Sequence, residues 1–456
     1  MRRGLLFFFL TVLPCAAQTA NQAQPIGFDS KPWLEDFHQI LSEMSVHYAN
    51  LDWAVADRRM DLPRLRLDTE AKLRDAADES GARRILDKFL ASFGDGHLEI
   101  QWPKSGAQPK PATTASQSLC GRMGYESRLH PGLDFSVLPE FSTQNTPEER
   151  LFPGGLLRLQ NGTAMGIVRI GLFSEHSYPE ICEQAAHDLH LPENDACDGK
   201  CADQLELATA NLLTAALVRR AEALSAAGAT ALLIDITRNG GGSDWAEVPP
   251  RVLSSVPLHE SARAFIRHEH WTKQLQDRLL QVQSDIKNHA GSKASLEGEA
   301  SALEKATDES KQPCNRTSVW DTGKLSCSLL VTEPARTVHP SRYTYPSNPK
   351  PLPLYVVVDR DTWSAAEYFA AVLQDNHAAT IVGETTGGAG CGYTNGGIPA
   401  KLKNSGAPLK MPDCVRFRAD GSNEVNGITP DLLLPWSGHD SDFQRVKKLL
   451  AALESR

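Results

Sequence analysis

The chain has 456 residues, 41% apolar and 23% charged, enough to bury sizeable cores and unlike a disordered composition. Asp plus Glu outnumber Lys plus Arg by 56 to 47, a net charge of -9, so neither nucleic acid nor an anionic membrane surface is an expected partner. After residue 20 no apolar run approaches the roughly 18 residues of a spanning helix, so no membrane span is expected.

Residues 1–17 join Arg2 and Arg3 to the apolar stretch Leu5–Leu13 and the small residues Cys15-Ala16-Ala17, the pattern of a secretory signal peptide. A secreted or periplasmic protein is expected. Eight cysteines follow, and an even number in an oxidising compartment reads as disulfides. Local pairs are expected: Cys314–Cys327 closing a hairpin-like segment and Cys391–Cys414 tying the loop after Gly383 to the strand before Glu424, then Cys197–Cys201 and Cys120–Cys182.

Over 30–93, Trp33, Phe37, Ile40, Leu41 and Met44, then Leu73, Ile85, Leu86 and Phe89, recur at helical spacing and predict an N-terminal helical domain. Residues 94–164, rich in Pro, Ser, Thr and Gln near 101–123, read as a linker and loop region bearing a turn at His97. A strand at 165–170, a helix at 203–226 and a strand at 231–236 form a β-α-β unit. The pattern resumes with a strand at 354–358, a helix at 364–376 and a strand at 379–382. Segments 165–250 and 350–437 therefore predict an α/β core with a mainly parallel sheet. Between them, 251–349 is an insertion whose centre, Trp271–Asp308, is a charged helical pattern broken near Gly291. It reads either as a solvated arm or as a lid over a site. Residues 438–456 predict a closing helix.

Four segments carry the chemistry. Ser364, in Asp359-Arg-Asp-Thr-Trp-Ser-Ala-Ala-Glu367, follows an apolar strand and opens a helix, where α/β sites form. It can be a nucleophile, or it or Thr362 can serve only as the helix N-cap. Asp235-Ile-Thr-Arg-Asn-Gly-Gly-Gly-Ser243 ends another buried strand, and its glycines free backbone N–H groups to face an oxyanion. His97 lies in the turn Gly94-Asp-Gly-His-Leu98, and Glu424 in Asn423-Glu-Val-Asn-Gly-Ile-Thr-Pro-Asp431. Alone, each of these two is an ordinary surface residue. His268-Glu-His270 lacks the i, i+4 spacing of a helical zinc site, and no phosphate-loop glycine motif is present.

Taken together, these segments resemble the family of the C-terminal processing (tail-specific) proteases, the tricorn core and the interphotoreceptor retinoid-binding protein modules. Thr362-Trp-Ser-Ala-Ala-Glu367 and Val382-Gly-Glu-Thr-Thr-Gly387 are similar to its serine motif. Asp235 to Gly242 resembles D-x-R-x-N-x-G-G with Thr237 replacing the arginine, and Gly427-Ile-Thr-Pro-Asp431 matches its closing motif. Ala389 stands where the Ser-Lys branch places its lysine, so a Ser-Lys dyad does not fit. Glu424-Val-Asn-Gly427 and Gly94-Asp-Gly-His97 instead resemble the tricorn-like Ser-His-Glu branch. No peptide-binding PDZ domain is recognisable over 101–160.

The resemblance implies a crotonase/ClpP-like α/β core and a serine endopeptidase acting on peptide or protein substrates through an acyl-enzyme. Ser364 would be the nucleophile, His97 the base and Glu424 the orienting carboxylate, with Gly241 and Ala365 N–H groups holding the oxyanion. It implies no cofactor and no metal, and leaves the oligomeric state open. A non-catalytic binding or carrier module on the same fold is the alternative. An acyl-CoA hydratase-like enzyme conflicts with the signal peptide.

Overall fold

A computed structural model of the chain describes residues 28–103, 118–192, 197–288, 293–333, 343, 351–393 and 400–455, so the expected signal peptide lies outside the described residues. The fold is mixed α/β, centred on a seven-stranded sheet whose strands follow chain order. They are Phe141–Ser142, Gly154–Arg158, Ala164–Arg169, Ala231–Asp235, Leu354–Val358, Ala379–Gly383 and Leu432–Leu433. The first two junctions are antiparallel and the rest parallel. The central strands are buried on both faces, which is why they read as continuous apolar runs.

Helices Gly199–Ala226 and Ala365–Asp375 cover one face, packing Leu213, Leu217, Phe369 and Leu373 with Ile234, Val356 and Val358. Helix Asp442–Glu454 covers the other, setting Val446 and Leu449 with Leu233, Val357 and Val382. The region expected to be only linker contributes the two antiparallel strands. Gly154 and Gly155 obscured one of them in the sequence, yet they are required there. A Cβ on Gly154 would lie 2.0 Å from the Ile167 carbonyl oxygen, and one on Gly155 2.2 Å from that of Ser142.

Helices Lys31–His47, Leu51–Ala56, Leu62–Arg74 and Glu79–Ala91 share a core of Phe37, Ile40, Met44, Leu86 and Phe89 with Leu402, Leu409 and Met411. Asp61 and Asp78 cap the third and fourth helices through the N–H groups of Arg64 and Gly81. Just after the last helix, strand Glu99–Ile100 pairs antiparallel with Pro408–Lys410. This pairing fixes the His97 turn against the C-terminal half of the chain.

The insertion sets two long helices, Glu269–Asn288 and Lys293–Ser310, over a three-stranded antiparallel sheet. That sheet joins Arg263–Ile266 to Leu330–Glu333 on one side and to Cys414–Arg416 on the other. Fully buried Arg316 donates to the carbonyls of Ser45 and Tyr48 at 3.1 and 3.0 Å and pairs with Asp52. The insertion is thus anchored to both the helical region and the strand leading to Glu424. Disulfides join Cys120 to Cys182, Cys197 to Cys201, Cys314 to Cys327 and Cys391 to Cys414, the pairs expected from the sequence. Among the described residues no helix is long and apolar enough to cross a membrane.

Candidate active site

Strand Leu354–Val358 delivers the chain into a tight turn ending at Ser364, whose φ of 55° and ψ of -117° place a non-glycine residue in positive-φ space. A serine acting only as a helix cap normally sits in the β region, so this strain marks a strand-to-helix elbow. Buried Thr362 holds the turn: its hydroxyl donates to the Ile236 carbonyl and accepts the Asp359 N–H. Asp359 in turn accepts the Arg238 and Asp361 N–H groups, while burial raises its pKa.

The glycine segment lies directly against the serine. A Cβ on Gly241, whose φ is 98°, would stand 2.8 Å from Ser364 Cβ and from the Ala365 nitrogen. Only glycine permits this approach. The Ala365 N–H, first in its helix, has no acceptor among the described residues. The Gly241 N–H instead donates to Asn239 Oδ1 at 2.9 Å, so it can reach an oxyanion only by exchanging that bond.

His97 Nδ1 lies 2.7 Å from the Ala389 carbonyl oxygen. A carbonyl only accepts, so Nδ1 carries the proton and Nε2 keeps its lone pair in the neutral ring. Ala389, standing where the related branch has its lysine, thus supplies a backbone oxygen to a histidine. The ring packs edge-on to Tyr393, whose hydroxyl donates to the His97 carbonyl. Asp95 accepts the His97 N–H at 3.0 Å, together with the Tyr48 hydroxyl and the Asn50 amide. Burial raises the Asp95 pKa against these donors. The turn packs on Trp363, the residue before the serine, because Gly96 lacks a side chain: a Cβ there would lie 2.2 Å from the Trp363 ring.

Glu424 is 2% exposed, but among the described residues it makes no hydrogen bond to His97. Arg416 holds both its oxygens, and Arg416 Nη2 also reaches the carbonyls of Gly390 at 2.8 Å and Ser364 at 3.2 Å. Glu424 therefore meets the site through Arg416 and the turn carrying Ala389.

The residue that joins these parts received no role from the sequence. Buried Glu367 accepts four bonds: from the N–H groups of Ser364 and Ala389 on Oε2, and from Thr386 Oγ1 and the Gly388 N–H on Oε1. One carboxylate thus ties the serine to the turn that holds His97. Its signal was the Ser-x-x-Glu spacing of a capping box, present in Ser364-Ala-Ala-Glu367.

The strained Ser364 stands at the carboxyl edge of a parallel sheet, against a glycine loop and linked through Glu367 and Ala389 to a histidine whose Nδ1 carries the proton. A family model described as Peptidase family S41 matches residues 204–434, just over half of the chain. The chain belongs to peptidase family S41 and is a serine-type peptidase. In solved structures it is similar to mature CPAF, at 15% identity over 93% of this chain and 96% of that one, TM-score 0.54. Mature CPAF complexed with lactacystin matches at 16% identity over 93% and 98%, TM-score 0.53. The photosystem II D1 C-terminal processing protease aligns at 14% identity over 93% and 98%, TM-score 0.35. Among curated protein sequences none matches this chain.

Proposed function

We propose that the protein is a secreted or periplasmic serine endopeptidase working through an acyl-enzyme. Ser364 Oγ attacks the scissile carbonyl, and His97 Nε2 takes the hydroxyl proton and returns it to the leaving amine. Water then attacks the ester with the same base, and proton return to Ser364 completes the cycle. The Ala365 N–H faces the developing oxyanion, and the Gly241 N–H joins it on leaving Asn239. Glu424 is the positioning carboxylate, acting through Arg416 on the Gly390 carbonyl beside Ala389. The observation that carries this reading is the chain of bonds from His97 through Ala389 and Glu367 to Ser364. Four disulfides favour an oxidising compartment.

The test is labelling with a fluorophosphonate probe followed by peptide mapping, alongside digestion of a peptide library. Modification of Ser364, lost in His97→Ala, with discrete cleavages is expected. An unlabelled Ser364 in folded protein that cleaves no peptide would refute the proposal.

A further inference from the structure

A second set of ligating side chains stands behind the glycine loop. Glu175 and His176 lie on the short turn Glu175–Ser177, and Glu206 on helix Gly199–Ala226. One carboxylate oxygen of each glutamate and one ring nitrogen of His176 lie within 4.8 Å of one another. Glu175 is 1% exposed. Its Oε2 accepts the Ser243 hydroxyl, whereas Oε1 is buried with no hydrogen-bond partner. Among the described residues no cation pairs with Glu175. Leaving a buried carboxylate oxygen unmatched is costly, and a positive ion is the ligand that removes the cost.

We propose that Glu175, His176 and Glu206 form a binding site for a divalent transition-metal ion, zinc by its donor set. An imidazole nitrogen with two carboxylates suits zinc, whereas calcium and magnesium favour oxygen donors throughout. Zinc bonds of about 2.0–2.2 Å place ligand atoms no more than ~4 Å apart. Ligand atoms within 4.8 Å of one another need draw in by only about 1 Å for one ion to meet all three. Three protein ligands leave a position for water.

The walls of the site are stapled. The Tyr125 ring stacks on His176 with centroids 4.3 Å apart, and the Glu126 N–H donates to the His176 carbonyl. The Cys120–Cys182 disulfide ties this segment to the helix following the turn. Cys197–Cys201 braces the start of the helix that carries Glu206. The site also adjoins the loop beside Ser364: Ser243 and Gly241 both bond to the backbone of Phe173, two residues before Glu175. An ion on Glu175 would stiffen that loop from behind.

The experiment reads metal binding directly and so does not depend on the peptidase reading. Chelator-treated mature protein is titrated with zinc by calorimetry and with cobalt by visible absorption. One ion per chain, visible cobalt bands and a raised unfolding temperature with zinc are expected. His176→Phe, which keeps a ring on Tyr125, and Glu206→Gln should each weaken binding at least about tenfold. His270→Ala, in a different histidine cluster, should leave it unchanged. Circular dichroism of each metal-free variant checks its fold. No saturable binding, binding unchanged in both ligand variants, or equal affinity for calcium would overturn the proposal.

Discussion

Glu367 offers the sharpest test, because its carboxylate satisfies donors from both halves of the site. In Glu367→Gln an NH2 group replaces one oxygen. Oriented to keep the bonds to Ser364 and Ala389, the amide turns that NH2 towards the Gly388 N–H and the Thr386 hydroxyl. Two donors then lack an acceptor, at about 1–3 kcal/mol each, or about 2–6 kcal/mol together. Burying a neutral amide instead of a charge returns part of this. If about 3 kcal/mol appears in the barrier, turnover falls roughly 150-fold. Burial raises the Glu367 pKa, with the neighbouring charge of Glu424 adding to it against the hydrogen bonds that lower it. A raised carboxyl pKa stabilises the fold below the unfolded value of about 4.3, and that increment is lost as pH rises through the folded value. The variant lacks the increment, so its stability deficit should narrow as pH rises. Turnover of a fluorogenic peptide and urea unfolding at acid and neutral pH measure both effects. A variant within roughly threefold of wild-type turnover, with an unchanged midpoint, would refute the reasoning.

Further outcomes follow from the same geometry. Gly96→Ala drives a methyl group into the Trp363 ring and should cost about 1–3 kcal/mol and most of the activity. Trp363→Ala in the same chain should restore part of the loss, and a double variant no better than the single one counts against steric contact as the cause. Arg416→Ala leaves the Glu424 charge buried and unpaired, a loss of about 3–5 kcal/mol by urea unfolding, and adding Glu424→Gln should recover much of it. Equal stability of the two variants would sink that account. Replacing Cys391 and Cys414 by serine frees the loop beside Ala389 from the strand bearing Arg416 and should cost roughly 2–4 kcal/mol. A pair variant as stable as the parent under non-reducing conditions would contradict it.

Much of this architecture was legible in the chain itself. The strands Ala231–Asp235 and Leu354–Val358 are buried on both faces, so their residue pattern alone marks them as central and parallel. The serine elbow was legible because a strand, a turn and a helix are local in sequence. The disulfides Cys314–Cys327 and Cys391–Cys414 were the more legible, closing loops of 13 and 23 residues, whereas Cys120–Cys182 spans 62. The strand Gly154–Arg158 was not, since its glycines serve a close backbone approach that depends on strands elsewhere.

The site's wiring was decided only by tertiary structure. His97 and Ala389 are 292 residues apart, and nothing in an alanine advertises that its carbonyl will hold a histidine. Glu367 spoke locally as a helix cap, yet three of its four donors come from a turn about 20 residues further on. Glu424 kept the expected spacing, but its bonding partner was set by strand Cys414–Arg416, which presents Arg416 first. Side-chain type and spacing fix what a residue can do. Which partner reaches it depends on how distant backbones pack, and the insertion that shares a sheet with Arg416 makes that packing particular to this chain.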